Sequence, residues 1–390
     1  MKNVNIILAI ILLMMTGCER NRQAKQTGDF ITVNVTASYP QKELILQDFI
    51  DVEYIALETV SEFYTQGIVQ AIGKEMIIVT NQVRDGDIFI FDRNGKGLRK
   101  INRMGRGPEE YTGLHEIILD EENGEIFIND YPAKKIMVYD LYGNFNRSFH
   151  FKKDARYRNI YNFDRSSLIC VFDDFVLDGV KDDNPIFVIV SKQDGNIIKN
   201  IHIAYEQRKS PIMRVVNENG INISFIRNFP LIPYHDSWVL TEVSSDTVFM
   251  FLPDYGMVPF MTRTPPIQSM SVEMFLVPLI LTERYHFLQT VKKEYNFTTW
   301  QGFPVVNLVY DRQGKTIYEC TVYNDDYSDK RPVNMVQRTI NNEVAFFQKI
   351  EADELVEDYE KGVLKGRLKE IAAKLKEEAN PVIMLVKYKK

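Results

Sequence analysis

The sequence predicts an all-β fold, a six-bladed β-propeller with a C-terminal helix inserted in its last blade. Three observations predict it. Short runs rich in Val, Ile, Phe and Tyr stop at Gly, Asn or Asp along most of the chain, as in I88-F-I-F-D-R-N-G95 and I136-M-V-Y-D-L-Y-G143. Such residues fill pleated, half-buried surfaces, and the breaks between them are hairpin signals. A D-x-x-G turn or near equivalent recurs, with its glycine at Gly95, Gly143, Gly195, Gly256 and Gly314. These glycines stand roughly 50 to 60 residues apart, the length of a four-stranded blade with some extra loop. The C-terminal part, with strands at 341–347 and 382–388, supplies a sixth unit.

The N-terminus reads as an address. Lys2 precedes an apolar run, Val4 to Met15, interrupted only by Asn5. Twelve residues are too few to span a bilayer as a helix, which takes about 20, so residues 1–17 read as a signal peptide. Met15-Thr16-Gly17-Cys18 resembles a bacterial lipobox. The resemblance implies lipidation of Cys18 and a membrane-anchored mature chain, with the membrane itself as a partner. Residues 18–40 are then a lipidated N-terminus and flexible tether, and 41–390 the propeller. The tether begins ERNRQAK, with one acid among basic residues. That argues for the periplasmic side of the outer membrane over surface display.

Within the propeller, V52-E-Y-I-A-L57 is a strand, and V382-I-M-L-V-K-Y388 is the last one. A ring of blades must close or leave a bare strand edge, so 52–57 is expected to pair with 382–388. Residues 351–378 place Leu355, Tyr359, Leu364, Leu368, Ile371 and Leu375 at helical steps, with Gly362 and Gly366 as weak points, and Asn380-Pro381 ends the helix. The run 272–281 is too short and Pro-broken to span a membrane; it reads as a helix or strand under a loop, or as an apolar patch for a partner.

The net charge of −6 gives no electrostatic reason to bind nucleic acid. Cys170 and Cys320 sit in strand-like runs far apart and read as buried free thiols. The five histidines are scattered, and no cofactor-binding or metal-binding pattern is found. Acidic clusters at Asp173-Asp174, Asp182-Asp183 and Asn324-Asp325-Asp326 lack a Ca²⁺-loop pattern and read as solvated turns.

G105-R-G-P-E-E-Y111, followed by I126-F-I-N-D130 and I136-M-V-Y-D-L-Y-G143, is similar to an NHL-type repeat. Residues 41–390 as a whole resemble the six-bladed β-propeller lipoproteins common in Bacteroides-like bacteria. The resemblance implies the propeller and an envelope lipoprotein, and carries over no catalytic residue.

Loops entering the inner strands of a propeller rim one face of its channel. Here they are rich in Arg and aromatics. Arg103, Arg106, Glu109, Tyr111, Arg156 and Arg158 are the candidate ligand-binding residues, with Arg208, Arg214, Arg227, Arg263, Arg331 and Arg338 in later loops. Guanidinium forks suit carboxylates and phosphates, so the expected ligand is an anionic glycan or a peptide. The alternative is that each Arg pins its own loop through a nearby acid. The functional expectation is a ligand- or protein-binding module, with an envelope protein as another partner. A glycan-acting lyase or hydrolase is the rival, and it needs paired carboxylates or a His/Tyr/Arg set converging in the channel.

Overall fold

Runs such as MIIVT at 76–80 and IFIFD at 88–92 are apolar on both faces, so they are stable only when sandwiched between two neighbouring sheets. The chain is arranged to do that six times over. The structure, a computed structural model, describes residues 30–81, 85–151, 156–172, 185–217 and 220–389. The signal peptide, Cys18 and most of the tether lie outside the described residues, as do Asp173-Asp174 and Asp182-Asp183.

The chain enters with β1 (Ile31–Asn34), β2 (Gln41–Ile45), a single helical turn α1 (Leu46–Phe49) and β3 (Asp51–Ala56). Blade 1 is β4 (Ile68–Ile72), β5 (Met76–Thr80), β6 (Ile88–Asp92) and β7 (Gly97–Ile101). Blade 2 is β8 (Glu116–Asp120), β9 (Glu125–Asp130), β10 (Lys135–Asp140) and β11 (Phe145–His150). Blade 3 is β12 (Tyr157–Asn162), β13 (Ser167–Phe172), β14 (Phe187–Ser191) and β15 (Ile197–Ile201). A separate hairpin follows, β16 (Ile212–Asn217) and β17 (Gly220–Phe225). Blade 4 is β18 (Leu231–Tyr234), β19 (Ser237–Leu240), β20 (Thr247–Phe251) and β21 (Met257–Thr264). Blade 5 is β22 (Met274–Leu281), β23 (Tyr285–Lys292), β24 (Val305–Asp311) and β25 (Thr316–Tyr323). The last blade holds β26 (Val344–Ile350), the helices α2 (Ala352–Glu360) and α3 (Gly366–Ala372), and β27 (Val382–Lys387). This is the all-β, six-bladed propeller.

The N-terminal segment is a belt. β1 adds to blade 4 in parallel with β21, and β2 adds to blade 5 in parallel with β25. β3 completes the last blade, antiparallel to β27 from Val382↔Ala56 to Lys387↔Asp51. Two blade edges are thereby covered and the ring is closed by pairing its two ends. The belt starts earlier than the sequence suggested. Ile31, Val33 and Val35 are buried, so residues 31–35 belong to the folded domain rather than to the tether.

The closure is fastened by Asn380, which is buried. Its side chain accepts from Thr65 N (2.9 Å) and donates to Glu58 O and Phe63 O (both 2.8 Å), while its own amide donates to Thr59 Oγ1 (2.9 Å).

Of the readings open for 272–281 the strand holds: Met274–Leu281 is β22, the inner strand of blade 5, buried from Phe275 onward. One expectation is corrected. The single helix expected over 351–378 is two. The chain breaks at Gly362, whose φ of 70° closes α2 with a bond from its amide to Tyr359 O, and Leu364 is then buried beside Tyr327. Arg331 grips α2 through two bonds to Asp358, at 2.5 and 3.0 Å.

The turn glycines divide into two groups. Gly95, Gly143 and Gly195 have positive φ (85°, 86° and 69°), and a Cβ on each would strike the end of the preceding blade's outer strand at Ala56 O, Ile101 or Phe149. Gly256 and Gly314 have neither property; in blades 4 and 5 the left-handed residue is Tyr255 or Lys315, one step away.

The last blade departs from the other five. Asn341, just before β26, donates to Ile72 O at the end of β4 (3.0 Å), so β26 starts where the inner strand of blade 1 stops and runs opposite to it. β26 therefore occupies a second-strand place. Residues 333–340, which have no regular secondary structure, run down the channel where an inner strand would lie.

Candidate functional site

The starts of the inner strands of blades 1, 2 and 3, with two segments from elsewhere in the chain, line a chamber of about 580 Å³. Val69 and Gln70 come from β4, His115 and Glu116 from the start of β8, and Arg158 and Asn159 from β12. The stretch 225–229, between the hairpin and blade 4, supplies Arg227, Asn228 and Phe229, and the last blade supplies Gln337, Arg338 and Phe347. A second space of about 170 Å³ lies toward the far ends of the same strands, lined by Ile72, Leu119, Asn162, Pro233 and Trp238. Gln70, Glu116, Arg338 and Ile340 line both.

Arg338 is the divider. Its guanidinium pairs with Glu116 Oε1, donates from Nε to Tyr161 Oη (2.6 Å) and from Nη2 to Ile160 O (3.2 Å), and lies 4.1 Å from the Tyr161 ring centroid. Glu116 Oε2 accepts the Ile160 amide (2.9 Å), and Tyr161 Oη donates to Thr339 O (3.2 Å). Burial opposes the charge on Arg338, but Glu116 and the Tyr161 oxygen outweigh it and hold its pKa above the ordinary arginine value. Tyr161 is pushed the other way from acidity: burial raises its pKa, against the lowering effect of Arg338. The cluster is fully committed internally and pins residues 333–340 across the channel.

The groups left facing the chamber are different. Arg227 is exposed, 5.4 Å over the Phe229 ring, with no carboxylate partner among the described residues. Asn159 adopts φ 50° at a bulge in β12, between Arg158 and Ile160. That left-handed step, which Asn tolerates better than most residues, turns two successive polar side chains into the chamber lining. Glu116 is the one carboxylate among the described residues that line the chamber. The arrangement is thus cationic and amide-rich, with Phe225, Phe229 and Phe347 as apolar surface.

Of the residues singled out in the sequence, the structure brings only Arg158 into this lining, together with Arg227 and Arg338 from the wider group. G105-R-G-P-E-E-Y111 is instead a folded latch between blades 1 and 2. Tyr111 is completely buried; its hydroxyl donates to Gly86 O (2.6 Å) and accepts from the Arg103 amide (3.0 Å). Burial pushes its pKa up to about 12. Arg103 Nε donates to Gly143 O in the next blade (3.1 Å), and Tyr139 Oη donates to Glu109 O (2.8 Å). Glu110 folds back over Gly105 and Gly107 and accepts the Gly107 amide at 2.7 Å; a Cβ on Gly105 would displace that carboxylate. Arg106 and the Glu109 side chain are exposed outside the chamber lining, and Arg156 lies over the Tyr131 ring at 5.0 Å. Sequence reading missed Asn159, Gln337 and the role of Glu116. A bulge has no sequence signature, and nothing local marks residues 333–340 as a channel-filling segment.

Elsewhere, Cys170 and Cys320 are free thiols whose pKa values burial raises, that of Cys320 to about 12. Asn324 and Asp326 are absorbed by hydrogen bonds to Gln47 and Tyr54 of the belt. Among the described residues no group of His, Cys, Asp and Glu is placed to hold a metal ion, and no helix is long and apolar enough to cross a membrane.

Comparison with known proteins adds the following. Residues 30–387 match the profile of a domain of unknown function, DUF4934. A search of curated proteins returns no match. Among solved structures, a protein described as exported, from Bacteroides fragilis NCTC 9343, aligns at TM-score 0.60 and 14% identity over 93% of this chain and 100% of its own. A DUF4221 member from Bacteroides vulgatus aligns at TM-score 0.45 and 9% identity, over 88% of this chain and 99% of its own. Virginiamycin B lyase from Staphylococcus aureus aligns at 0.31 and 9%, over 69% and 98%. At these identities the first shows the fold alone, and the other two are too distant to carry an argument.

Proposed function

We propose that this chain, which belongs to the DUF4934 family, is a lipid-anchored binding module of the cell envelope that holds an anionic ligand in the chamber at the mouth of its channel. The observation that carries the reading is Arg227: an exposed guanidinium, without a carboxylate partner among the described residues, held over Phe229 at the edge of a 580 Å³ chamber that Arg158 also lines. A guanidinium beside an aromatic face suits a carboxylate- or phosphate-bearing glycan or peptide end. The envelope address is supported by the lipobox-like Met15–Cys18 and by the exported relative from Bacteroides fragilis. The periplasmic face of the outer membrane fits a tether that begins ERNRQAK, with one acid among basic residues. Among the described lining residues Glu116 is the only carboxylate and it is tied to Arg338, so the paired acids of a glycan-cleaving centre are not assembled there.

The test is calorimetric titration of the full chain with uronic-acid oligosaccharides, neutral oligosaccharides and inorganic phosphate. Saturable binding of an anionic class that weakens with salt supports the reading. Binding of the neutral sugars alone, or of none, overturns it. Cys18→Ser tests the anchor: the variant should leave the membrane fraction.

A further inference from the structure

At the opposite end of the inner strands, blades 4 and 5 leave another cavity, of about 180 Å³, between them. We propose that it is a binding site for a small aromatic carboxylate. Its wall is a cluster of rings around His286. Phe260 lies 5.4 Å from the His286 ring, Tyr234 5.8 Å away and edge-on at 88°, and Tyr310 6.2 Å away. Ile31 of the belt and Met250 add apolar surface. Apolar cavities of about 150 Å³ are known to hold a benzene ring, and aromatic walls favour an aromatic guest through edge-to-face contact.

The charge at the rim selects the rest of the ligand. Arg312, on the β24–β25 turn, donates from Nη1 to Glu283 O (2.7 Å) and lies 3.5 Å from Glu283 Oε2. Both contacts use Nη1, so Nε and Nη2 have no partner among the described residues. Glu283 is already engaged, by Arg312 and by His235 at 3.1 Å. The free capacity at the mouth is therefore cationic, in a fork that fits a carboxylate. His286 forms part of the cavity wall. It is 2% exposed and kept neutral, its pKa brought down to about 3 by burial and then by Arg312 and His235. Its Nε2 faces the Tyr234 hydroxyl at 3.4 Å, and its Nδ1 has no partner among the described residues. Burial, the larger cause, disfavours any isolated charge in the cavity, so only the ligand's ring enters and its carboxylate stays at the rim with Arg312. The ring of the ligand lies against Tyr234, Phe260 and Tyr310, and its carboxylate meets Arg312.

The test is ¹⁹F NMR titration of the full chain in lipid nanodiscs with 4-fluorobenzoate and, separately, 4-fluorobenzylamine, against empty nanodiscs. Saturable binding of the benzoate is expected, with the benzylamine at least tenfold weaker. Arg312→Gln, a rim change, should weaken benzoate at least tenfold at an unchanged melting temperature, and Arg312→Lys should restore part of it. Arg227→Gln, at the other end of the channel, should leave it within about twofold. Absence of saturable benzoate binding, equal binding of the amine, or benzoate binding lost in Arg227→Gln and kept in Arg312→Gln overturns the proposal. If Arg312→Gln fails to fold, the amine comparison and Arg312→Lys still decide it.

Discussion

Arg338 and Glu116 come from the last blade and from blade 2 and meet inside the channel, where the guanidinium of one closes on the carboxylate of the other and on Tyr161 Oη at 2.6 Å. The pair holds residues 333–340 in the place that an inner strand takes in the other blades. Removing one partner leaves the other charge half-buried and alone. Arg338→Ala or Glu116→Gln should each cost about 2–4 kcal/mol, toward the lower side for an interrupted buried pair because Arg338 keeps some exposure. The double variant Glu116→Gln/Arg338→Ala should cost less than the sum of the singles. Urea unfolding of the four proteins measures both.

Arg227 and Arg106 separate the chamber from the latch. Arg227→Ala should abolish anion binding by the chamber while moving the melting temperature by no more than about 2 °C, since the side chain is exposed. Arg106→Ala should change neither, because Arg106 is exposed and outside the chamber lining. Loss of anion binding in Arg106→Ala would show that the loop 105–111 reaches the ligand after all.

The turn glycines should respond by group. At Gly95 a Cβ would sit 2.1 Å from Ala56 O at φ 85°, so Gly95→Ala should cost more than about 2 kcal/mol. Gly124 has φ 67° with nothing within 4 Å, and Gly124→Ala should cost only about 1 kcal/mol from the backbone alone. Gly256→Ala, at ordinary φ and near only Asp254 and Leu252 side-chain atoms, should be nearly neutral. Chemical denaturation ranks the three.

Asn380 is hydrogen-bonded to four residues of the segment that follows β3, Glu58, Thr59, Phe63 and Thr65. Asn380→Ala keeps its amide bond to Thr59 and strips the rest, leaving buried backbone groups without partners. At about 1–3 kcal/mol per group, the variant should unfold at markedly lower denaturant. Hydrogen exchange should show the loss first at residues 57–67.

His286 gives a pH dependence of known sign. It is packed among Tyr234, Phe260 and Tyr310, with Arg312, His235 and Glu283 as the nearby charges. Above pH 6.5 both folded and unfolded chains carry it neutral. Between about 6.5 and about 3 the unfolded chain takes the proton and the folded one does not, so stability falls as pH falls through that window. By pH 5 the contribution is about 2 kcal/mol. His286→Phe should flatten that part of the melting-temperature profile between pH 7 and 5. An unchanged slope would place the histidine's titration elsewhere.

The sequence by itself determined the architecture. Apolar runs broken at Gly and Asp force hairpins, their repeat length forces blades, and the strand-like character of 52–57 and 382–388 forces the ends to meet. These are local preferences multiplied by a period, and they survive averaging over the chain. Part of the site was legible too: Arg158, at the start of β12, and Arg227 and Arg338, outside regular strands, are arginines close in sequence to aromatics or strand starts. Only the tertiary structure decided what each of them does. GRGPEEY was the most distinctive segment, yet its distinctiveness is that of a latch, because Glu110 and Tyr111 turn inward to hydrogen-bond backbone. Whether an arginine is spent or available depends on which carboxylate the fold brings to it. Glu116 lies 222 residues from Arg338 and cancels it, while no acid among the described residues reaches Arg227. Pairing of charges across the channel is a property of the closed ring, and no window of sequence contains both partners.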